Sequence, residues 1–478
     1  MSPLQREVEF LRVEGSNITL SGKPIVLKGA GLGGWMNMEN FITGYPGHEH
    51  QMRAALRTTM GQDKYEFFFD KATFLEYFFQ KADAAFIASL GLNCLRLPVN
   101  YRHFEDDSNP RVFKSDGLKH LDRVIDLCAK HGIYTIIDLH SAPGGQNIDW
   151  HCDAGNHQAN FWVHKDFQDR AIAIWEHLAE HYKGNTWVAG YNPLNEPTDS
   201  EHVRLLSFYQ RVEKAIRAVD PDHILFLDTF GEDLSRFGDP LPNCVYACHD
   251  YSIYGFPDAP APFTGKPDQV AHHRKSFDRK VEYMRRIGGP IWNGEFGPVY
   301  ASSSDSNHEQ INQSRYAVLE HQLSIYAQAK ASWSIWLYKD IGFQGKMYVN
   351  PDTEYMKLLG PFLDKKKRLA VDAWAVDEEN VKHIFDPLNN WLEENISNVN
   401  HEKRYPPMWK MSRHVSRMVR EILLSEELVH EYAQYFCDKS KDELEELAKS
   451  FAFENCIQRE RLNDILKKDA GGEVMIAA

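Results

Sequence analysis

Eight short apolar runs of strand length, most of them separated by amphipathic segments of helical period, constrain this chain's fold more than any other feature. They read IVLKGAGL at 25–32, NCLRLPV at 93–99, IYTIIDLH at 133–140 and WVAGYNPLNE at 187–196. HILFLDT at 223–229, VYACHDY at 245–251, PIWNGEF at 290–296 and SWSIWLY at 332–338 complete the set. The segment GLKHLDRVIDLCAKHG shows the helical spacing, with Leu118, Leu121, Val124, Ile125 and Cys128 on one face. Strands alternating with helices favour parallel pairing through helical crossovers, and eight of them predict an α/β (β/α)8 TIM barrel. A doubly wound open sheet is the competing architecture. Ahead of the first run, FLRVEG and NITLSG read as a hairpin.

The ends of the runs carry the chemistry. Arg96 lies on the second run, His140 ends the third, Asn195 and Glu196 end the fourth, and His249 and Tyr251 close the sixth. The seventh run carries Glu295 and the eighth Trp336. Barrel active sites are assembled from the C-terminal ends of different strands, so these side chains are expected to converge on one mouth. Two facing carboxylates suit glycosidic bond cleavage, one protonating the leaving oxygen and the other attacking the anomeric carbon or activating water. A single strand-end glutamate is more often a structural ion-pair partner. An ion pair, however, needs no aromatic platform, and here both glutamates come with Asn195, His249, Tyr251 and Trp336.

Other chemistries fit less well. A net charge of −14 argues against a nucleic-acid partner. The absence of any run of 18 apolar residues argues against a membrane span. Seven scattered cysteines without a CxxC pair give neither a zinc knot nor a disulfide framework. His140, His151, His157 and His249 with Asp153 raise the question of a metal, but no tight ligand spacing such as HExxH occurs. No metal or cofactor is therefore expected, and the lack of a GxSxG elbow argues against a nucleophilic serine. The charged N-terminus MSPLQREVEFLRVEG has no signal-peptide core, so a cytoplasmic location is expected, with unconventional secretion as the alternative.

LNEP together with NGEFG resembles glycoside hydrolase family 5, within the clan of retaining barrel glycosidases. GGWMNMENFI, LRLPVNY and LHSAPGGQN resemble its exo-β-1,3-glucanase and β-glucosidase-like branch, and the likeness covers about residues 10–345. It implies that Glu196 is the general acid/base and Glu295 the nucleophile. It further implies that Asn195 contacts the sugar 2-hydroxyl, Arg96 and Tyr251 support the nucleophile, and His140 and His249 line the subsite of the terminal sugar. Trp336 would form the stacking floor, and Glu39, assisted by Asn147, would bind hydroxyls at the sugar's far end. The implied activity is a retaining β-glucosidase or exo-β-glucanase acting on a carbohydrate or glycoside. The insertion after the first run, and NIDWHCDAGNHQANFW after the third, depart from the pattern. They keep open a diglycosidase that releases a disaccharide such as rutinose. A carbohydrate-binding protein that has lost turnover is the rival from another class.

Composition shifts near Pro361 toward charged, helical sequence. The barrel with its hairpin is expected over 1–365, and a helical extension over 366–478 packed on the barrel's side. A homodimer through these helices is the alternative. In MWKMSRHVSRMVREILL, Met411, Val415, Met418, Val419 and Ile422 form an apolar face opposite Arg and Lys. DPLNNWLEEN reads as a helix with Pro387 in its first turn, and Ser440 with Glu443 reads as a capping box.

Overall fold

A computed structural model of the protein describes residues 9–70, 73–199, 203–230, 237–371, 374, 378–396 and 410–471. Residues 1–8, on which the targeting expectation partly rests, lie outside this set, as do Met408 and Trp409 of the predicted tail helix. Eight parallel strands close into a barrel: β1 (Lys28–Gly31), β2 (Cys94–Asn100), β3 (Tyr134–Ser141), β4 (Val188–Asn192), β5 (Ile224–Leu227), β6 (Cys244–His249), β7 (Ile291–Glu295) and β8 (Ser332–Ile335). β8 pairs back onto β1 through Trp333 and Lys28, which completes the ring. The strands are buried almost throughout, as both faces of a barrel wall require. The helix Asp116–Ala129 buries Leu118, Leu121, Val124, Ile125 and Cys128, the face given by its spacing.

The predicted hairpin is a three-stranded sheet, Arg12–Glu14, Asn17–Leu20 and Lys23–Ile25. Leu11 and Ile18 pack with Leu27, Cys94, Ile136, Ile224, Val245 and Trp292, a cluster that closes the barrel's N-terminal end. β4 is shorter than its sequence run. Pro193 has no N–H to give to the ladder, the strand stops at Asn192, and Asn195 and Glu196 stand on the loop beyond it.

The composition shift at Pro361 falls inside one helix, Glu354–Leu369, which carries the chain across residue 365 without a break. The extension also reaches past the barrel's side to the rim at the C-terminal ends of its strands. Its strand Cys456–Gln458 pairs with Met347–Val349, which pairs with Lys339–Asp340 just after β8. The helix Ser425–Gln434 packs on Glu49–Met60, part of the insertion that follows β1. Ser440 caps the helix Lys441–Lys449 as the capping box requires, its Oγ accepting from the Glu443 N–H at 3.2 Å.

Two tail expectations are corrected. The helix containing Pro387 starts at Lys382, which puts the proline in its interior. Over 411–424 the expected apolar face is only partly the inner one: Met411 is buried and Val415, Val419 and Ile422 are half-buried, but Met418 is 54% exposed, and His414, Arg417, Arg420 and Glu421 are buried. Acceptors elsewhere in the chain account for this, among them Asp149 for Arg417 and the Ala370 carbonyl for Arg420. Among the described residues no helix is long and apolar enough to cross a membrane.

Candidate active site

Glu295 is the last residue of β7, where the register against β6 shifts between Asn293 and Glu295. Such an irregularity re-aims the side chain that follows it. One carboxylate oxygen accepts from Arg96 Nη1 at 2.6 Å and the other from the Tyr251 hydroxyl at 2.9 Å. Arg96 is fully buried, and its Nη2 also reaches Asn195 Oδ1 at 2.5 Å and Asp138 Oδ2 at 3.0 Å. This guanidinium on β2 thus ties β3, the loop after β4 and β7 together beneath the mouth, a task suited to its planar fork of donors.

Glu196 sits on the loop after β4 with φ +41°, a left-handed conformation uncommon for a side-chain-bearing residue. Two contacts hold it there. Its N–H donates to Asp228 Oδ2 at 2.9 Å, and its carbonyl accepts from Asn147 Nδ2 at 3.0 Å. Its carboxylate oxygens lie 2.7 Å from His249 Nδ1 and 3.7 Å from His151 Nε2. His249 Nδ1 is also 3.6 Å from Glu295, so this imidazole stands between the two carboxylates. An oxygen of each glutamate and a nitrogen of His249 lie within 4.8 Å of one another.

The two glutamates are driven in opposite directions. Burial raises Glu196 well above the ordinary carboxylate range, and the charges of Glu295 and Asp149 push it further. Burial also acts upward on Glu295, but His249 and Arg96 outweigh it and hold the group below its ordinary value. One group therefore keeps its proton while the other remains an anion, the division of labour an acid and a nucleophile need. His140 and His151 are pushed down by burial, His151 to about 4, which keeps both neutral near neutral pH. His140 Nδ1 lies 2.7 Å from Asp138, which assigns its proton there and leaves Nε2 to accept from Asn195 Nδ2 at 3.3 Å.

All ten residues singled out in the sequence lie at this rim, but Asn147 has a different task from the one expected. Its amide is used on the Glu196 carbonyl and His151, and its Oδ1 accepts from the Asp149 N–H, so it shapes the loop under Glu196. Trp336 is 2% exposed, and its ring lies parallel to that of His140 at 5.3 Å between centroids. Gly31 and Gly33 leave it room, since a Cβ at either would stand 2.6 Å from the indole. Glu39 is buried, with one oxygen accepting from the Trp150 indole N–H at 3.0 Å.

Sequence reading missed Asp138, Asp228, Asp149, Trp150 and Trp374, and left His151 without a role. Asp138 and Asp228 occupy the same place in IIDLH and LFLDT, each a buried acid after an apolar run. Burial raises them to about 7 and about 6. The other two residues of the metal question, His157 and Asp153, have partners away from the two glutamates. His157 faces His414 at 3.1 Å, and Asp153 pairs with His50 and Arg102.

Residues 60–342 match the family model "Cellulase (glycosyl hydrolase family 5)". A protein of Phanerodontia chrysosporium named Beta-xylosidase is 58% identical over 470 residues, 96% of this chain and 98% of that one. A "Probable glucan 1,3-beta-glucosidase A" of Neosartorya fischeri is 27% identical over 363 residues, 67% of this chain and 84% of that one. Among solved structures, endoglucanase Cel5A of Thermotoga maritima aligns with a TM-score of 0.45 and 20% identity, covering 54% of this chain and 82% of that one.

Proposed function

The chain belongs to glycoside hydrolase family 5, and from that premise we propose that it is an exo-acting retaining β-glycosidase that removes one terminal sugar, a β-xyloside first and a β-glucoside second. The observation that carries this reading is the oppositely poised pair, Glu196 protonated and Glu295 ionised, with oxygens within 4.8 Å. Retaining enzymes hold their carboxyl groups about 5–5.5 Å apart, and inverting enzymes keep them further apart to admit a water. Burial of Glu39, Glu196 and Glu295 favours a pocket closed around one sugar over a groove open at both ends.

In the first step the Glu295 carboxylate attacks the anomeric carbon as Glu196 gives its proton to the departing glycosidic oxygen. The aglycone leaves as an alcohol, and the sugar is esterified to Glu295. In the second step Glu196, now a carboxylate, takes a proton from water, and the oxygen attacks the same carbon. Glu295 leaves, and the sugar is released with its β configuration retained. Arg96 and Tyr251 keep the nucleophile anionic and aimed, and Asn195 offers its amide to the 2-hydroxyl.

The 58% identical relative named Beta-xylosidase supports the xyloside, since the match runs through nearly the whole chain. The β-glucosidase or exo-β-glucanase reading is supported by the GGWMNMENFI and LHSAPGGQN segments and by the glucan 1,3-beta-glucosidase relative. A panel of aryl β-xyloside, aryl β-glucoside, xylo- and laminari-oligosaccharides and a flavonoid rutinoside separates these, scored by kcat/KM and product size. NMR should show the β-anomer formed first. An α-anomer formed first would defeat the retaining mechanism, a disaccharide product the single-sugar reading, and no release from any β-glycoside the enzyme reading itself.

A further inference from the structure

Four side chains from beyond residue 365 converge on the loop that carries Glu39 and on the aromatic residues beside it. Lys366 Nζ donates to the carbonyls of Asn40, Gly44 and Tyr45 at 3.2, 3.3 and 2.9 Å. The Glu421 carboxylate lies 3.5 Å from the Asn40 amide nitrogen. Arg417, 2% exposed, pairs with Asp149 at 2.7 Å and lies over the Trp150 ring, 3.5 Å from its centroid. Trp374 meets Trp150 edge-on at 6.4 Å and Tyr251 at 5.3 Å.

Trp150 is the link to substrate. Its indole N–H fixes one oxygen of Glu39. The other oxygen is buried, has no hydrogen-bond partner among the described residues, and faces His140 Nε2 at 3.7 Å. A buried carboxylate oxygen without a donor is costly, and a sugar hydroxyl would supply one. The aim of that oxygen depends on Trp150, and the aim of Trp150 depends on the guanidinium stacked on it. Cation–π stacking and an ion pair on one planar group leave the indole little freedom.

We propose that the C-terminal extension is part of the substrate pocket, with Arg417 a positioning residue that acts through Asp149 and Trp150 to hold Glu39 against a hydroxyl of the terminal sugar. The proposal rests on the β-glycosidase reading above. It makes the barrel's sugar recognition dependent on a segment that no strand–helix repeat of the barrel requires.

The test uses the full chain with Arg417→Met, Arg417→Lys, Trp150→Phe, Glu39→Gln and the Arg417→Met/Glu39→Gln double variant, each assayed on aryl β-xyloside and aryl β-glucoside. Arg417→Met should lose about 10- to 100-fold in kcat/KM, carried more by KM than by kcat, the scale on which small misplacements act. Its effect should largely vanish in the Glu39→Gln background, because both changes remove the same contact. Arg417→Lys should recover part of the loss through Asp149, and Trp150→Phe, which keeps the ring and drops the N–H, should reproduce it. An active wild type with Arg417→Met within about twofold of it, or with losses that simply add in the double variant, overturns the proposal. Should Arg417→Met fail to fold, Trp150→Phe decides: unchanged KM on both substrates overturns the proposal equally. A wild type inactive on every β-glycoside overturns instead the reading on which the proposal stands.

Discussion

Tyr251→Phe isolates one interaction with the nucleophile. The hydroxyl donates to Glu295 at 2.9 Å, while the ring packs against Trp374 at 5.3 Å and Phe256 at 5.8 Å, contacts that phenylalanine keeps. A hydrogen bond to a charged group contributes about 1.5–3 kcal/mol. Because it favours the ionised form, its loss raises the Glu295 pKa. At about 1.4 kcal/mol per pH unit, the shift is roughly one to two units upward. Arg96 stays within 2.6 Å, so the nucleophile still ionises, only at higher pH. The assay is kcat/KM against pH on an aryl β-glycoside, which reports the ionisations of the free enzyme. The acid limb should move up by that amount. The alkaline limb should stay in place, since it follows Glu196 and the charge of ionised Glu295 is unchanged. An acid limb that stays put, or moves down, would refute the assignment of Glu295 as an anion stabilised by its donors.

Azide should rescue Glu295→Gly with an α-glycosyl azide and Glu196→Ala with a β-glycosyl azide, read by NMR; the reverse pattern would exchange the two roles. Glu196→Gln should abolish hydrolysis yet raise the melting temperature. The folded-state pKa of Glu196 is raised, so its contribution to stability is present below its unfolded pKa and lost as pH rises through the folded value. The gap in Tm over wild type should therefore widen with pH, and a gap that narrows would contradict the raised pKa. Gly31→Ala brings a Cβ within 2.6 Å of the Trp336 ring, and overpacking of that kind costs about 1–3 kcal/mol. Activity should fall while the barrel still folds by circular dichroism, and full activity would show that Trp336 can shift without consequence.

The sequence by itself determined the barrel. Strand-length apolar runs joined by helical faces leave few ways to bury both, and burial depends on residue type and period, which are local. It also gave both glutamates, because each closes an apolar run of strand length and the C-terminal ends of parallel strands meet at one rim. The Ser440–Glu443 cap was legible for the same reason: its donors and acceptors lie within one turn of chain.

Tertiary structure decided what depends on distant partners. Asp138 and Asp228 read as ordinary strand-end acids until Arg96, His249 and the Glu196 N–H are brought against them. The tail segment 411–424 reads as a helix with an apolar inner face, yet it turns Arg417 and Arg420 inward. Periodicity identifies which residues share a face; it does not identify what that face meets. Here it meets Asp149, Trp150 and the Ala370 carbonyl, and their hydrogen-bonding and charge offset the burial of guanidinium groups that a hydrocarbon core would have kept in water.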